Sequence, residues 1–174
     1  GRAFSAGGDF EEMKKANVNR QGSGTSIEAK KMIFGLLELE KPIISKINGD
    51  AMGLGATLAL FCDISFANQK ARIADPHVSV GIAAGDGGAV IWPQLIGYAR
   101  AKHFLLTGSM ITGEEAAHIG LVNFAFPAEE LDTKVEKYAD RLEAGAQDAI
   151  RWTKLAVNIG LKQLAHSIMD VGLG

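Results

Sequence analysis

The chain has 174 residues, 47% apolar and 22% charged, which suits a single globular domain with a substantial core. A formal charge of −2, with lysines and arginines scattered, excludes the basic field that nucleic acid or an anionic membrane surface requires. The single cysteine, Cys62, cannot make an internal disulfide, and the apolar run Ala51 to Cys62 falls short of the about 20 residues of a membrane span.

In chain order, Ala3 to Asp9 (AFSAGGD) reads as a short strand entering a glycine turn, and Phe10 to Lys15 as a helical turn. Asn17 to Thr25 is a polar, glycine-rich loop. Ser26 is placed to cap a helix from Ile27 to Leu39, in which Met32, Ile33, Leu36 and Leu37 recur with helical period, and Pro42 ends it. Pro42 to Gly49 (PIISKING) reads as a buried strand closed by Asn-Gly, followed by a small-residue helix from Gly53 to Leu60. Asp63 to Gly81 holds two short strands around a turn, the loop GIAAGDGG follows, and short helices run from Ala89 to Thr107. Thr112 and Glu115 form a capping-box pattern for a helix that Gly120 can close. Leu131, Val135, Tyr138 and Leu142 mark an amphipathic helix, and Asp148 to Leu164 a further one. Strands alternating with helices predict an α/β fold.

Two glycine turns carry the chemistry. Each runs from a strand into a helix, where the first N–H groups lack partners and the helix dipole favours negative charge. Gly53-Leu54-Gly55 fits half a dinucleotide fingerprint, but Leu58 stands where the last glycine belongs, and no Gly-Lys-Ser/Thr follows to make a P-loop. Close packing of a small-residue helix explains Gly55 and Ala56 equally well. If the turns at Gly7-Gly8 and Gly53-Leu54 converge, they form an oxyanion hole.

The segments GRAFSAGGDFEEM, KPIISKINGDAMGLGATLALFCDISFANQKARI, GDGG and LLTGSMITGEEAAHIGLVN resemble the crotonase (enoyl-CoA hydratase/isomerase) superfamily over nearly the whole chain. The resemblance implies a crotonase-type α/β spiral of ββα units. Residues 1–125 would be the core, without the family's leading segment, and residues 126–174 the start of a truncated C-terminal helical trimerisation region. It implies an acyl-CoA thioester as substrate, coenzyme A being part of that substrate, with no separate cofactor and no metal. It further implies a cytoplasmic homotrimer or dimer of trimers that binds neither nucleic acid nor membrane. Gly8 and Leu54 match the oxyanion-hole amides, and Ala3, Ser5 and Ala6 the turn that flanks CoA.

The chain departs from the family at two positions. Thr57 and His77 stand where family hydratases carry their two glutamates, and Thr57 cannot serve as a base. His77, with Asp86 nine residues on, is the candidate acid/base; Asp86, at a helix start, is expected to be held ionised and to orient the imidazole. The His/Asp spacing and the following WP-containing helix are also similar to oxo-camphor hydrolase, which implies hydrolytic C–C cleavage of a β-diketone as an alternative to hydration or isomerisation. A non-catalytic acyl-CoA-binding relative is a third reading. A backbone-bonded histidine and a plain helix cap are the structural readings of His77 and Asp86. His103, His118 and His166 read as surface or packing residues, Trp92 as core or pocket wall, and Asp63 as a structural carboxylate.

Overall fold

The computed structural model describes residues 1–8 and 24–169. The expected turn at Phe10 to Lys15 and most of the Asn17 to Thr25 loop lie outside these residues. Helix α1 (Gly24–Glu38) buries Ala29, Ile33 and Leu37, a stripe spaced four and four. It begins before Ser26, so that residue is not the cap; the buried stripe, worth more than one cap, defines this helix.

Strand, strand and helix then recur. β1 (Ile44–Ile47), β2 (Ala51–Met52) and α2 (Leu54–Phe61) make one unit. β3 (Ile64–Asn68), β4 (Arg72–Ala74) and α3 (Gly88–Thr107) make the next, with a 3₁₀ turn at His77–Val80 between β4 and α3. β5 (Ile111–Thr112), α4 (Gly113–Ile119), β6 (Phe124–Phe126), α5 (Ala128–Glu143) and α6 (Gln147–Met169) complete the order. β3 and β4 are not a hairpin. The first strands of the two units share the parallel sheet β1-β3-β6, and the second strands the sheet β2-β4-β5, in which β4 and β5 are antiparallel. This is the spiral of ββα units that the sequence predicts.

The local signals hold where chemistry forces them. Glu115 N donates to Thr112 Oγ1 at 3.2 Å and Thr112 N to Glu115 Oε2 at 3.0 Å, the two halves of the predicted capping box. Gly120, at φ 83°, closes α4. α3 breaks at Gly97, at φ 76° and ψ 158°, into the two short helices expected. Tyr138 of α5 meets Phe66 of β3 edge-on at 5.4 Å, seating the amphipathic helix on the first sheet. Among the described residues, no helix is long and apolar enough to cross a membrane.

α6 packs on α1 and α3 and ties down the entry to β1. Lys154 Nζ donates to Asp63 Oδ2 at 2.7 Å and to the Lys41 carbonyl at 2.9 Å, and Asp63 Oδ2 also accepts from Ile43 N at 2.7 Å. Asn158 donates to the Leu37 carbonyl at 3.1 Å, satisfying an orphan group at the end of α1. Asp63 is thus structural, as expected. The Lys154 side chain is only 5% exposed, so removing its charge strands the Asp63 carboxylate. Lys154→Met is expected to lower the urea-unfolding free energy by about 3 kcal/mol, and adding Asp63→Asn to recover part of that loss; equal stability of Lys154→Met and the parent chain would refute the account.

Candidate active site

Three backbone segments run side by side and end at one level. Ser5 bridges Ala51 in parallel, Ala51 is in register with Ile73, and Met52 with Ala74. Phe4 N and Ser5 N donate to the Asp50 carbonyl at 2.9 and 3.1 Å, Met52 N donates to the Ser5 carbonyl at 3.0 Å, and Gly53 N donates to the Ala74 carbonyl at 2.9 Å. Each segment then leaves the sheet toward the same edge: Ser5 into Gly7-Gly8, β2 into Gly53-Leu54, and β4 into Asp75-Pro76-His77.

The two glycine turns are therefore neighbours. A methyl built on Gly7 would stand 2.8 Å from the Met52 carbonyl oxygen, and one on Gly55 would overlap the Ser5 side chain. Gly53 has φ 53° and ψ −125°, a conformation that suits glycine, and Leu54 opens α2 in helical geometry. Leucine at position 54 is thus unstrained, because the demanding angle falls on Gly53. Among the described residues, no carbonyl accepts from Leu54 N, as expected of a first-turn amide. Gly8 lies one residue beyond Gly7 on the adjoining turn. Ala3 and Ala6 are exposed and Ser5 half-buried; Ser5 Oγ accepts weakly from Gly7 N at 3.3 Å.

The histidine and aspartate singled out in the sequence come together beside these turns. His77 Nε2 lies 3.4 Å from Asp86 Oδ2, without hydrogen-bond alignment. A methyl on Gly53 would come within 3.4 Å of His77 Cε1, so the imidazole lies against the turn that presents Leu54 N. Thr57 Oγ1, one turn into α2, donates to Asp86 Oδ1 at 3.3 Å, and Gly88 N reaches the same oxygen at 3.4 Å. The glycines of the GDGG loop permit this closeness. Gly87 has φ 120°, and a methyl there would press Thr57 Cγ2 at 2.9 Å and Phe61 Cε2 at 3.0 Å; one on Gly88 would overlap the Asp75 carboxylate.

Sequence reasoning missed Asp75. Its Oδ1 lies in buried hydrogen-bond contact with His77 Nδ1, so Asp75, and not Asp86, pairs with that ring nitrogen. The Asp-Pro-His order was the available signal; only the turn at Pro76 folds the two side chains onto each other. Set against the helix start, which favours the ionised form of Asp86, dehydration acts in the opposite direction. Burial, reinforced by the nearby Asp75 charge, outweighs the His77 charge, the long Gly88 N–H contact and the Thr57 hydroxyl and raises its pKa above the usual carboxylate value. For His77, burial opposes the charged ring, but the Asp75 hydrogen bond and the Asp86 and Asp75 charges prevail and raise its pKa above 6.5. Asp75, His77 and Asp86 each offer a ligand atom within 4.8 Å of the others, a spacing compatible with a cation, although Nδ1 is already engaged by Asp75.

Other candidates fall elsewhere. Trp92 is fully buried and packs on Phe104 at 5.6 Å, the core reading. His166 packs on Phe34 at 4.2 Å. His103 and His118 line a surface groove of about 610 Å³, together with Arg100, Met110 and Glu115, and none of the residues around His77 line it.

Residues 1–170 match the family model described as enoyl-CoA hydratase/isomerase. The chain is 36% identical to a short-chain-enoyl-CoA hydratase of Clostridium acetobutylicum over 92% of its length and 61% of that protein. It is 37% identical to a crotonyl-CoA hydratase of Syntrophomonas wolfei over 98% of its length and 65% of that protein. It therefore spans somewhat under two thirds of these relatives. A crystal structure of an enoyl-CoA hydratase/isomerase from Mycobacterium paratuberculosis superposes with a TM-score of 0.84 at 34% identity, covering 99% of this chain and 69% of that one. With the strand order, the paired glycine turns and this match in agreement, the chain belongs to the enoyl-CoA hydratase/isomerase (crotonase) family.

Proposed function

We propose that this protein is an enzyme acting on acyl-CoA thioesters, as its hydratase relatives are named for doing. The thioester carbonyl oxygen accepts from the N–H groups of Gly8 and Leu54, which stabilise an enolate, and His77 with Asp86 moves the proton at the acyl chain. The observation that carries this reading is the seating of His77 against Gly53, beside the Leu54 amide. Ala3, Ser5 and Ala6, on the open side of the first turn, contact the coenzyme A portion. The protein works as a homotrimer or dimer of trimers, with the helical region that begins at residue 126 contributing to assembly.

Thr57 in place of a glutamate favours a second reaction within the same site. Hydration across a double bond uses two carboxyl groups, whereas His77 beside the Asp86 carboxylate suits activation of a water that attacks a ketone. Attack on a 3-oxoacyl or β-diketone carbon breaks the neighbouring C–C bond, and the leaving enolate is held by the same two amides.

The reading is tested on the full chain with a panel of enoyl-CoA, 3-oxoacyl-CoA and β-diketone substrates. His77→Ala is expected to reduce turnover by roughly 10²- to 10⁴-fold while CoA-thioester binding, followed by calorimetry, persists; absence of turnover on every substrate by the parent chain would favour a binding protein. Leu54→Pro removes one N–H at the first helical position, where proline is tolerated. It is expected to fold and to lose roughly 10²- to 10³-fold in kcat; an unchanged kcat would remove Leu54 from the site. Because the pKa of His77 is raised and the neutral ring is the base, kcat/KM should rise with pH through a midpoint above 6.5. A profile flat from pH 5 to 8 would contradict that assignment.

A further inference from the structure

Asp75 has no part in the reading above, yet it is the most deeply buried member of the cluster. Side-chain exposure rises outward from 1% at Asp75 to 7% at His77 and 13% at Asp86. We infer that Asp75 is the positioning residue of this site: it holds the proton of His77 Nδ1, so that the lone pair of Nε2 faces Asp86 and the Gly53-Leu54 turn. The inference rests on His77 being the proton-handling group.

A carboxylate only accepts, so in the contact between Asp75 Oδ1 and Nδ1 the proton we assign sits on Nδ1. The other donor given to Asp75 is the His77 backbone N–H, at 3.4 Å, and Asp75 Oδ2 is buried without a hydrogen-bond partner among the described residues. A buried carboxylate so poorly supplied depends on the imidazole for compensation. Oδ2 lies close against Gly88, where a methyl would overlap it. Among the described residues, the titratable groups facing the ring are Asp75 from the end of β4 and Asp86 from the glycine loop; α2 and its turn bring the uncharged Gly53 backbone against the ring and Thr57 onto Asp86. A proton taken up at Nε2 leaves an imidazolium between two carboxylates; the same proton returns to substrate or product, and no other bond changes at these residues.

The test is ¹⁵N NMR of the His77 ring in the full chain, with the signal assigned by its loss in His77→Gln. The expected neutral form carries its proton on Nδ1, giving a pyrrole-type ¹⁵N signal with an exchange-protected N–H resonance at Nδ1 and a pyridine-type signal at Nε2. Asp75→Asn, isosteric but uncharged, should weaken or abolish that resonance and lower the pH at which the ring titrates. It should also reduce kcat by roughly 10²- to 10⁴-fold with little change in KM, and move the acid limb of kcat/KM to lower pH. A neutral Nε2–H tautomer in the parent chain would overturn the inference, and needs no variant that folds. So would an Asp75→Asn protein whose ring titrates as in the parent, even with activity lost, since that outcome marks a purely structural carboxylate. Should His77→Ala leave turnover intact, the proposed reaction fails, while the tautomer and titration still decide whether Asp75 holds the ring.

Discussion

The parallel alignment of three short backbone stretches, Phe4–Ser5, β2 and β4, governs everything else in this molecule. Neighbouring strands lie about 4.8 Å apart, and strands in parallel release their chains at a common edge. Hydrogen bonds from Met52 N to the Ser5 carbonyl and from Gly53 N to the Ala74 carbonyl hold the three ends level. Two glycine turns and one Asp-Pro-His turn are thereby confined to a small volume, whatever their separation along the chain. The first sheet, β1-β3-β6, is separate from this arrangement, and α2 joins the two, carrying Leu54 at its start and Thr57 one turn later.

Within that volume the chemistry is set by crowding and by dehydration together. Backbone approaches at Gly55 and Gly88 leave no room for a Cβ, so the loops close down on Ser5 and Asp75. Closing down removes water from an imidazole and two carboxylates. A buried carboxylate is costly to ionise, and an imidazolium beside it offsets that cost. The same geometry therefore raises the proton affinity of both His77 and Asp86. Thr57, fully buried, completes the change from the family's two glutamates: the α2 position supplies a hydroxyl that holds Asp86, and the carboxylates arrive from the loop and from the end of β4.

The rest of the chain holds this edge in place. α6 crosses α1 and places Lys154 between Asp63 and the Lys41 carbonyl, fixing the entry to β1 through a buried charge pair. α5 seats aromatic rings on the outer sheet, and α4 is closed at both ends by its own capping residues. Each constrains a strand or helix on which the site depends.

Much of this was legible in the sequence wherever the signal is local. The Thr112–Glu115 box, Gly120, the helical recurrence from Leu131 to Leu142 and the strand-to-glycine-turn pattern each depend on a few consecutive residues, and they formed as read. Family motifs added the ββα order and placed His77 with Asp86. The sequence did not disclose that β3 and β4 enter different sheets, because strand pairing is settled by partners far along the chain. Nor did it disclose which carboxylate grips Nδ1. Asp75 and Asp86 lie two and nine residues from His77, and only the turn at Pro76 and the collapse of the Gly87-Gly88 backbone assign one to each ring nitrogen. The protonation preference of Asp86 was likewise beyond reach, since a helix start argues one way and dehydration the other. Residue types and short spacings thus determined the fold and the candidate chemistry. The tertiary structure alone decided the pairing and the direction in which burial pushes each group, because both follow from contacts across the sheet edge.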